Sequence, residues 1–261
     1  MTATVLVERH GAASILTLNR PEKYNALNDE MMCDLDAATR EVAEDATVRA
    51  VMLRGAGKAF MSGGDVAMFH ERIDSLSGEF GSLGQVFHAS VKRLRTMPKP
   101  VLACVQGVAA GGGLSVMLAC DIAIAARSSS YSLAYANIGT SPDGGSSVVL
   151  PRIVGMRKAF ELAFLPDRID SATALSLGLV NWVVEDAELE SRALQLLDRL
   201  ARGPTFAFAR TKEIFNSTWE NDMNTQLDAE LAAFARCTRT RDFAEGTTAF
   251  VEKRKPEFNG D

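Results

Sequence analysis

The amino-acid sequence predicts an α/β fold that continues into a helical C-terminal part. Up to Gly155, short apolar runs typical of strands alternate with segments whose apolar residues have helical spacing. After Gly155, the pattern becomes mainly helical. The 261 residues are 47% hydrophobic and 23% charged, which is the composition of a globular protein and excludes disorder or a collagen-like structure.

The N-terminal segment predicts a β-hairpin followed by a helix. Residues 5–8 alternate as in a strand, a turn falls near Gly11, and residues 15–18 form the returning strand. Asn28 or Asp29 is suited to cap the helix, because its side-chain oxygen can accept from the first turn. The apolar positions of this helix are Met31, Leu35, Ala38 and Val42.

The middle of the chain predicts buried strands joined by glycine-bearing loops. A strand over residues 50–53 stops at Gly55, residues 58–65 form a loop, and a helix follows through Met68 and Phe69. We expect residues 78–84 to be loop-like because they contain three glycines. One face of the next helix comprises Leu83, Phe87, Val91 and Leu94.

Pro98 and Pro100 end that helix, and two further strands follow at residues 101–105 and 121–126. Between them, residues 107–120 predict a turn, three glycines and a helix. Residues 150–155 are interpreted as a helix boundary. The remaining predicted helices span residues 156–165, 171–177, 186–202, 205–219, 222–240 and 242–253.

Charge and composition exclude several classes of partner. The 28 Lys and Arg residues are outnumbered by 33 Asp and Glu residues, so an acidic chain without a dense basic block is not expected to bind nucleic acid. The longest apolar stretch, residues 107–120, is too short and too glycine-rich to span a membrane. The N-terminus lacks the pattern of a signal or transit peptide, so we expect a cytoplasmic protein.

The four cysteines are expected to be buried free thiols. They form no CxxC pair and are widely spaced, which argues against a disulfide framework or a zinc site, so no metal is predicted. They are Cys33, Cys104, Cys120 and Cys237.

Two glycine-rich segments that lead into helices are the first indication of chemistry. Three glycines at residues 111–113 allow close approach of a ligand, and the first turn of the following helix has N–H groups without helical partners. No Lys-Ser/Thr pair follows, so this is not a P-loop, and tight packing is an alternative explanation. Residues 62–65 are a similar turn. Together, the two loops can supply two N–H donors to one oxygen, as in an oxyanion hole.

The order and spacing of several motifs resemble the enoyl-CoA hydratase/isomerase (crotonase) superfamily over nearly the whole chain. Each motif alone is modest, but their combination is specific to the superfamily and not to one reaction. The matching segments are residues 19–27 (NRPEKYNAL), 59–65 (AFMSGGD), 98–107 (PKPVLACVQG), 111–113 (GGG), 119–121 (ACD), 143–145 (DGG), 150–155 (LPRIVG) and 250–258 (FVEKRKPEF).

This resemblance implies a crotonase-like spiral of ββα units over residues 1–200 and a helical oligomerisation region over residues 201–261. It also implies a homotrimer, often stacked into a hexamer as a dimer of trimers. The substrate would be an acyl-CoA thioester, so coenzyme A is part of the substrate and no separate cofactor is expected. The N–H groups of Gly64 and Gly112 would receive the thioester oxygen, each contributing about 3 kcal/mol to the stability of an enolate.

The resemblance also indicates that the two catalytic glutamates of the hydratases are missing from this sequence. Superfamily hydratases activate water with two glutamates, and the matching positions here are Ser115 and Tyr135. Hydration needs both a base for water and an acid for the α-carbon. A serine supplies neither at neutral pH, and a tyrosine with a pKa of about 10 is a possible acid but a poor base, so efficient hydration is disfavoured.

Asp143 is the carboxylate that remains in this region. It matches the acidic residue of superfamily isomerases that move a double bond from C3 to C2, a reaction that needs one base and an oxyanion hole. An apolar site would raise the pKa of such a carboxylate and make it a better base. The alternative is a simple turn residue, because Pro-Asp-Gly is a common turn sequence.

A second alignment involves the aryl-CoA dehalogenases of the same superfamily. In them an aspartate attacks the aromatic ring, a histidine helps hydrolysis and a tryptophan assists the aspartate. The matching residues here are Asp143, His88 and Tyr135, with Gly64 where a phenylalanine is usual. His88 has the alternative of simply lining a helix.

The resemblance places four residues near coenzyme A. Lys58 and Ser62 match positions near the adenine, Lys23 lies where the phosphates run, and Lys253 would reach the CoA of its own or a neighbouring subunit. The alternative for each lysine, with equal weight, is an ordinary solvated surface residue.

The leading hypothesis from sequence is therefore a Δ3–Δ2 enoyl-CoA isomerase with Asp143 as its base. The alternatives are an aryl-CoA dehalogenase-like enzyme, residual enoyl-CoA hydratase activity, and a catalytically silent acyl-CoA binder. Acyl chain length, branching and aromaticity stay open.

Overall fold

A computed structural model describes residues 3–261, including all side chains except those of Ser77, Glu79 and Phe80. The strands, in chain order, are β1 (Val5–His10), β2 (Ala13–Leu18), β3 (Ala50–Gly55), β4 (Val101–Val105), β5 (Val108–Ala110), β6 (Ile122–Ala126), β7 (Ser130–Ser132), β8 (Ile169–Asp170) and β9 (Trp182–Val184).

The α-helices surround these strands and dominate the second half of the chain. They are α1 (Asp29–Glu44), α2 (Val66–Glu71), α3 (Leu76–Thr96), α4 (Gly112–Ala119), α5 (Ser146–Val154), α6 (Met156–Phe164), α7 (Ser171–Ser176), α8 (Leu189–Ala201), α9 (Thr205–Ser217), α10 (Met223–Cys237) and α11 (Arg241–Glu252). The predicted α/β class and the helical C-terminal part are confirmed.

The strands form two sheets that meet beside the glycine loops. The larger sheet has the order β1-β2-β3-β4-β6-β9, and only the β1–β2 pair in it is antiparallel. The smaller sheet has the order β5-β7-β8. Since β3 and β4 are parallel neighbours, the segments that follow them leave the sheet at the same edge, which brings two distant parts of the sequence together.

Helix α1 forms as its sequence predicts. The Oδ1 atom of Asn28 accepts a hydrogen bond of 3.0 Å from the N–H of Met31, so Asn28 is the N-cap. The predicted apolar stripe is buried on one face, and this face packs against the core with α3. Arg93 of α3 joins the two helices by donating to the side chains of Asp36 and Thr39.

The prediction of a loop at residues 78–84 is wrong, because these residues belong to helix α3. Its later part buries Phe87, Val91 and Leu94, as predicted. Residues 78–84 make about two turns of the helix, in which each glycine disfavours the helix by about 1 kcal/mol. Because Phe87, Val91 and Leu94 already nucleate α3 against the core, these turns form by extension and do not bear the cost of nucleation. Gly81 and Gly84 line a cavity described below.

Other differences involve short or interrupted elements. Strands β7, β8 and β9 have two or three residues each, which is too short to give a readable periodicity. Helix α5 was missed because Pro151 lies inside it, while Gly155 marks the predicted boundary between α5 and α6.

The C-terminal helices are joined to the core by charged contacts. The Nζ atom of Lys212 on α9 lies 2.8 Å from Asp121 Oδ2, and this carboxylate also accepts from the N–H of Val101. Trp219 lies between the guanidinium groups of Arg95 and Arg152, 4.9 and 4.7 Å from its ring centre. These contacts fix the start of the C-terminal helical part on the α/β core.

All four cysteines are free, but the expectation that all are buried is wrong. Cys104 and Cys120 are buried, Cys237 is half-buried and Cys33 is exposed. Burial raises the pKa of the Cys104 and Cys120 thiols to about 12, so both stay protonated at neutral pH.

Within residues 3–261, no helix is both long and apolar enough to cross a membrane.

Asn25 is the buried polar residue that holds the first motif against the second. Its Nδ2 group contacts the carbonyl oxygens of Ala56, Ala59 and Phe60 at 3.0, 2.8 and 3.2 Å, and its Oδ1 accepts from the N–H of Arg20 at 2.9 Å. Because Asn25 is completely buried, water does not replace these bonds.

We expect Asn25→Ala to lower the free energy of unfolding by about 3 kcal/mol, because it leaves several buried backbone groups without a partner. Urea unfolding followed by circular dichroism measures this change. Asn224→Ala on the exposed start of α10 is the control, with an expected change below about 0.5 kcal/mol. Equal losses in the two variants would contradict the role of Asn25.

Candidate active site

The two glycine loops predicted to converge lie in direct contact. The N–H of Met61 donates to Val108 O at 3.1 Å, and the N–H of Ala110 donates to Met61 O at 3.0 Å. Beyond this ladder the backbones almost touch, since a Cβ atom on Gly111 would lie 3.7 Å from the Cα atom of Gly63. Residues 59–64 and 108–112 therefore form one continuous backbone surface.

The N–H groups of Gly64 and Gly112 are available on this surface. Leu27 donates to Gly63 O and accepts from the N–H of Asp65, which bypasses the N–H of Gly64. Gly112 opens helix α4, so its N–H has no partner within the helix. Within residues 3–261, neither N–H donates to another backbone group, and both glycines line the same cavity. This is the arrangement that an oxyanion hole requires.

Asp65 and Arg20 stabilise the first of these loops from behind. Asp65 caps helix α2 by accepting from the N–H of Met68 at 3.3 Å. Arg20 approaches the other oxygen of Asp65 at 3.1 Å, and both side chains are only 14% exposed. The pair therefore fixes the turn that carries Gly64.

A cavity of about 1050 Å³ opens in front of the two N–H groups, and its wall is mainly apolar. Among the lining residues that the structure describes, Asp143 is the only aspartate or glutamate. The large apolar residues of the wall are Leu27, Met32, Val66, Phe69, Ile73, Leu76, Phe87 and Ile138. The cavity has the size and character of a small-molecule site.

Asp143 is held by two hydroxyl groups. Tyr135 Oη donates to Asp143 Oδ1 at 2.6 Å, and Ser115 Oγ lies 2.9 Å from Tyr135 Oη. Ser115 Oγ is also 2.9 Å from the backbone oxygen of Asp143. The side chain of Asp143 is 25% exposed, so it faces the cavity while its backbone is anchored.

Gly144 explains why Asp143 is followed by glycine. This residue has φ +58°, and a Cβ atom there would lie 2.8 Å from both the Phe87 ring and Ser115 Cβ. A larger residue would push the turn away from Ser115, so the close approach of Asp143 depends on this glycine.

Burial raises the pKa of Tyr135, and the neighbouring charge and hydrogen bond of Asp143 raise it further. The phenol is therefore protonated at neutral pH. Tyr135 is therefore a hydrogen-bond donor to Asp143 and has little capacity as an acid.

His88 lies at the edge of the same group. Its Nε2 atom is 3.8 Å from Asp143 Oδ2, which is beyond hydrogen-bond distance, and its side chain is 55% exposed. The N–H of Gly144 lies 3.3 Å from the same nitrogen. Since that N–H needs a lone pair, this contact fits a neutral His88 with its proton on Nδ1.

The residues predicted to bind coenzyme A are less closely grouped. Ser62 lines the cavity, and its N–H donates to Tyr24 O at 3.0 Å. Lys23, Lys58 and Lys253 are exposed, which fits either a CoA contact or an ordinary surface residue. Their predicted roles stay predictions.

Several cavity residues were not found from the sequence. Met61 and Met68 are buried in the core and do not line the cavity, whereas Phe69 does. His70, Phe87 and Ile138 were not expected there. Only Phe87 gave a signal, as a member of the apolar face of α3, but that pattern does not distinguish a core contact from a cavity wall.

A family model described as enoyl-CoA hydratase/isomerase matches residues 8–261 of the chain. The 1,2-epoxyphenylacetyl-CoA isomerase of Escherichia coli (strain K12) is 39% identical over 249 residues, which are 94% of each chain. The short-chain-enoyl-CoA hydratase of Clostridium acetobutylicum is 36% identical over 255 residues, covering 97% of this chain and 96% of that protein.

Solved structures agree with these sequence relationships. The crystal structure of an enoyl-CoA hydratase from Polaromonas sp. JS666 superposes with a TM-score of 0.93 at 32% identity, covering 98% of this chain and 99% of that one. The structure of an enoyl-CoA hydratase from Bacillus anthracis gives a TM-score of 0.92 at 31% identity over 99% and 100% of the two chains.

The glycine triplet yields a prediction that separates two neighbouring positions. A Cβ atom on Gly113 would collide with the backbone of Met61, whereas one on Gly112 would meet only the Phe87 ring at 3.7 Å. We expect Gly113→Ala to lower the free energy of unfolding by at least about 2 kcal/mol and Gly112→Ala by less than about 1 kcal/mol. Thermal and urea unfolding measure both, and the reverse order would contradict the packing of the two loops.

Proposed function

The chain belongs to the enoyl-CoA hydratase/isomerase family, and we propose that this acyl-CoA-processing enzyme shifts a double bond from C3 to C2 of an enoyl-CoA. The observation that carries the proposal is the single described carboxylate of the cavity wall, Asp143. It faces an apolar cavity that also receives the N–H groups of Gly64 and Gly112. One base beside an oxyanion hole is the minimum that this isomerisation requires.

The proposed reaction is a proton transfer with one intermediate. The C2–H bond breaks and its proton passes to the carboxylate of Asp143, while the electron pair spreads into a dienolate. The N–H groups of Gly64 and Gly112 donate to the oxygen of this dienolate, contributing about 3 kcal/mol each. Asp143 then gives the proton to C4, which leaves the double bond between C2 and C3 and restores the carboxylate.

The hydroxyl groups next to Asp143 support isomerisation over hydration. The two positions that the superfamily resemblance assigns to the hydratase glutamates hold Ser115 and Tyr135. Both hydroxyls contact Asp143. Because its pKa is raised, Tyr135 releases its proton poorly, and as a protonated phenol it does not act as a base. Efficient addition of water to a 2-enoyl-CoA is therefore not part of the proposal.

One relative lends support from its name. The Escherichia coli protein that is 39% identical to this chain is named an isomerase of 1,2-epoxyphenylacetyl-CoA. Its name supports an isomerase at this site and adds acyl groups with a phenyl ring to the substrates worth testing.

The position of His88 favours one second candidate, an aryl-CoA dehalogenase. Its ring nitrogen is 3.8 Å from Asp143 Oδ2, so a small side-chain movement would let it assist hydrolysis of an ester formed on Asp143. Chloride release from a chlorinated aryl-CoA tests this candidate. Release that is lost in both His88→Gln and Asp143→Asn would favour it over the isomerase.

The assembly is also part of the proposal, as a homotrimer or a hexamer of stacked trimers in a cytoplasmic enzyme. Large apolar side chains are exposed on the outer helices of the isolated chain, which supports burial between subunits. Those on α9–α11 are Phe215, Met223, Leu227, Leu231, Phe234, Phe243, Phe250 and Val251. The exposed Lys253 at the end of α11 would then contact CoA near a subunit boundary.

We expect Asp143→Asn to reduce isomerisation of a 3-enoyl-CoA by at least about 1000-fold, because the amide does not accept the C2 proton. The absorbance of the conjugated 2-enoyl thioester measures turnover, and calorimetry with a saturated acyl-CoA measures binding. Affinity should stay within a few fold. Undiminished turnover would contradict the assignment of the base, and a wild-type protein that binds acyl-CoA without turnover would be a silent binder.

We expect Phe250→Glu to shift the protein from trimer towards monomer, because 85% of this side chain is exposed in the single chain and a charge would be costly in a subunit contact. Sedimentation velocity measures the change. Thr248→Glu, which adds the same charge at another exposed position of α11, should alter the assembly less. A wild-type monomer would contradict the proposed assembly.

A further inference from the structure

The side chains of Tyr135 and Ser115 form a ring with Asp143 that is closed by three oxygen contacts of 2.9 Å or less. They join Asp143 Oδ1 to Tyr135 Oη at 2.6 Å, Tyr135 Oη to Ser115 Oγ at 2.9 Å, and Ser115 Oγ to the backbone oxygen of Asp143 at 2.9 Å. When Asp143 is ionised, only two protons are available for three contacts. One contact must then lack a proton, and the neighbours of the group decide which.

The backbone oxygen of Asp143 already accepts two hydrogen bonds from Ser146. Ser146 Oγ donates to it at 2.8 Å and the Ser146 N–H at 3.3 Å, which fills both lone pairs. Ser115 is only 1% exposed, so water does not take its proton. The alternative acceptor, Gly111 O, is 3.4 Å away, which leaves Tyr135 Oη as the best acceptor for the hydroxyl of Ser115.

We propose that Ser115 is a positioning residue that directs the hydroxyl of Tyr135 onto Asp143 Oδ1 and thereby reserves Oδ2 as the reacting oxygen. Two hydroxyls in series, Ser115 to Tyr135 to Oδ1, strengthen each other and favour the ionised carboxylate. They also fix the plane of the carboxylate relative to the cavity. The inference rests on the proposed function only in taking Asp143 as the base.

The surroundings of Oδ2 agree with this assignment. In the described part of the chain, no hydrogen bond is made to this oxygen, whereas Oδ1 accepts from Tyr135. The nearest cationic candidate, His88, is 3.8 Å away and presents to it a nitrogen that already receives the N–H of Gly144. Oδ2 therefore keeps its lone pairs for the substrate proton.

An infrared pH titration of the protein without substrate tests the hydroxyl chain directly. The protonated carboxyl band of Asp143 is assigned by its loss in Asp143→Asn, and the pH at which half of the band disappears is compared among variants. We expect Tyr135→Phe to raise this midpoint by about one pH unit or more and Ser115→Ala by about 0.4 unit, because each weakens donation to the carboxylate.

Ser146→Ala is the matched control, since Ser146 is equally buried and also donates to the backbone oxygen of Asp143 but does not contact Tyr135. Its midpoint should stay within about 0.1 unit of the wild type. Ser115→Cys keeps a similar volume with a much weaker donor and should move the midpoint in the same direction as Ser115→Ala. Equal shifts in the Ser115 and Ser146 variants, or none in the Ser115 variants, would overturn the proposal.

Kinetics with a 3-enoyl-CoA give the second readout. We expect Ser115→Ala to lower kcat about fivefold with KM within twofold, because a misaligned base affects the chemical step more than binding, while Ser146→Ala changes neither by more than about twofold. A wild-type protein without isomerase activity would refute the proposed function. The order of the titration midpoints would still decide whether Ser115 directs Tyr135.

Discussion

The close contact of two backbone segments is the constraint on which the site depends. Residues 58–64 and 107–113 approach so closely that a Cβ atom on Gly113 would collide with the carbonyl of Met61, and one on Gly107 would collide with that of Lys58. Backbone hydrogen bonds through Met61 hold the segments in register. The N–H groups of Gly64 and Gly112 thus belong to one rigid surface, and their alignment needs no ligand to induce it.

The site also depends on the hydroxyl groups that surround Asp143, the carboxylate of the apolar cavity. The groups behind Asp143 belong to the protein itself, since Ser115 and Ser146 are each only 1% exposed. Tyr135 after β7 donates to Asp143 Oδ1, and Ser115 on α4 lies 2.9 Å from both Tyr135 Oη and the backbone oxygen of Asp143. Gly144 allows the turn of Asp143 to approach both residues. Asp143 is therefore held by the protein at Oδ1 and at its backbone, while Oδ2 accepts no hydrogen bond within the described residues.

Local pattern was sufficient for the elements whose stabilising contacts lie within the element. The β1–β2 hairpin and α1, with its cap at Asn28, were predictable because alternation and helical spacing are properties of a short window of sequence. The early turns of α3 were not, since tertiary packing overrides three glycines there. The roles of Ser115 and Ser146 were also not predictable, because their contacts to Asp143 join separate elements and leave no periodic signal.

The hydroxyl groups at positions 115 and 135 also determine how charge changes during the proposed reaction. Asp143 starts as the one anion of the described cavity wall, and when it takes a proton the negative charge passes to the dienolate at Gly64 and Gly112. The total charge of the cavity is the same before, during and after the reaction. Charge is relocated within the cavity and none is created, so the apolar walls and surrounding solvent have little to reorganise. A second carboxylate in place of either hydroxyl would repel the dienolate as it forms.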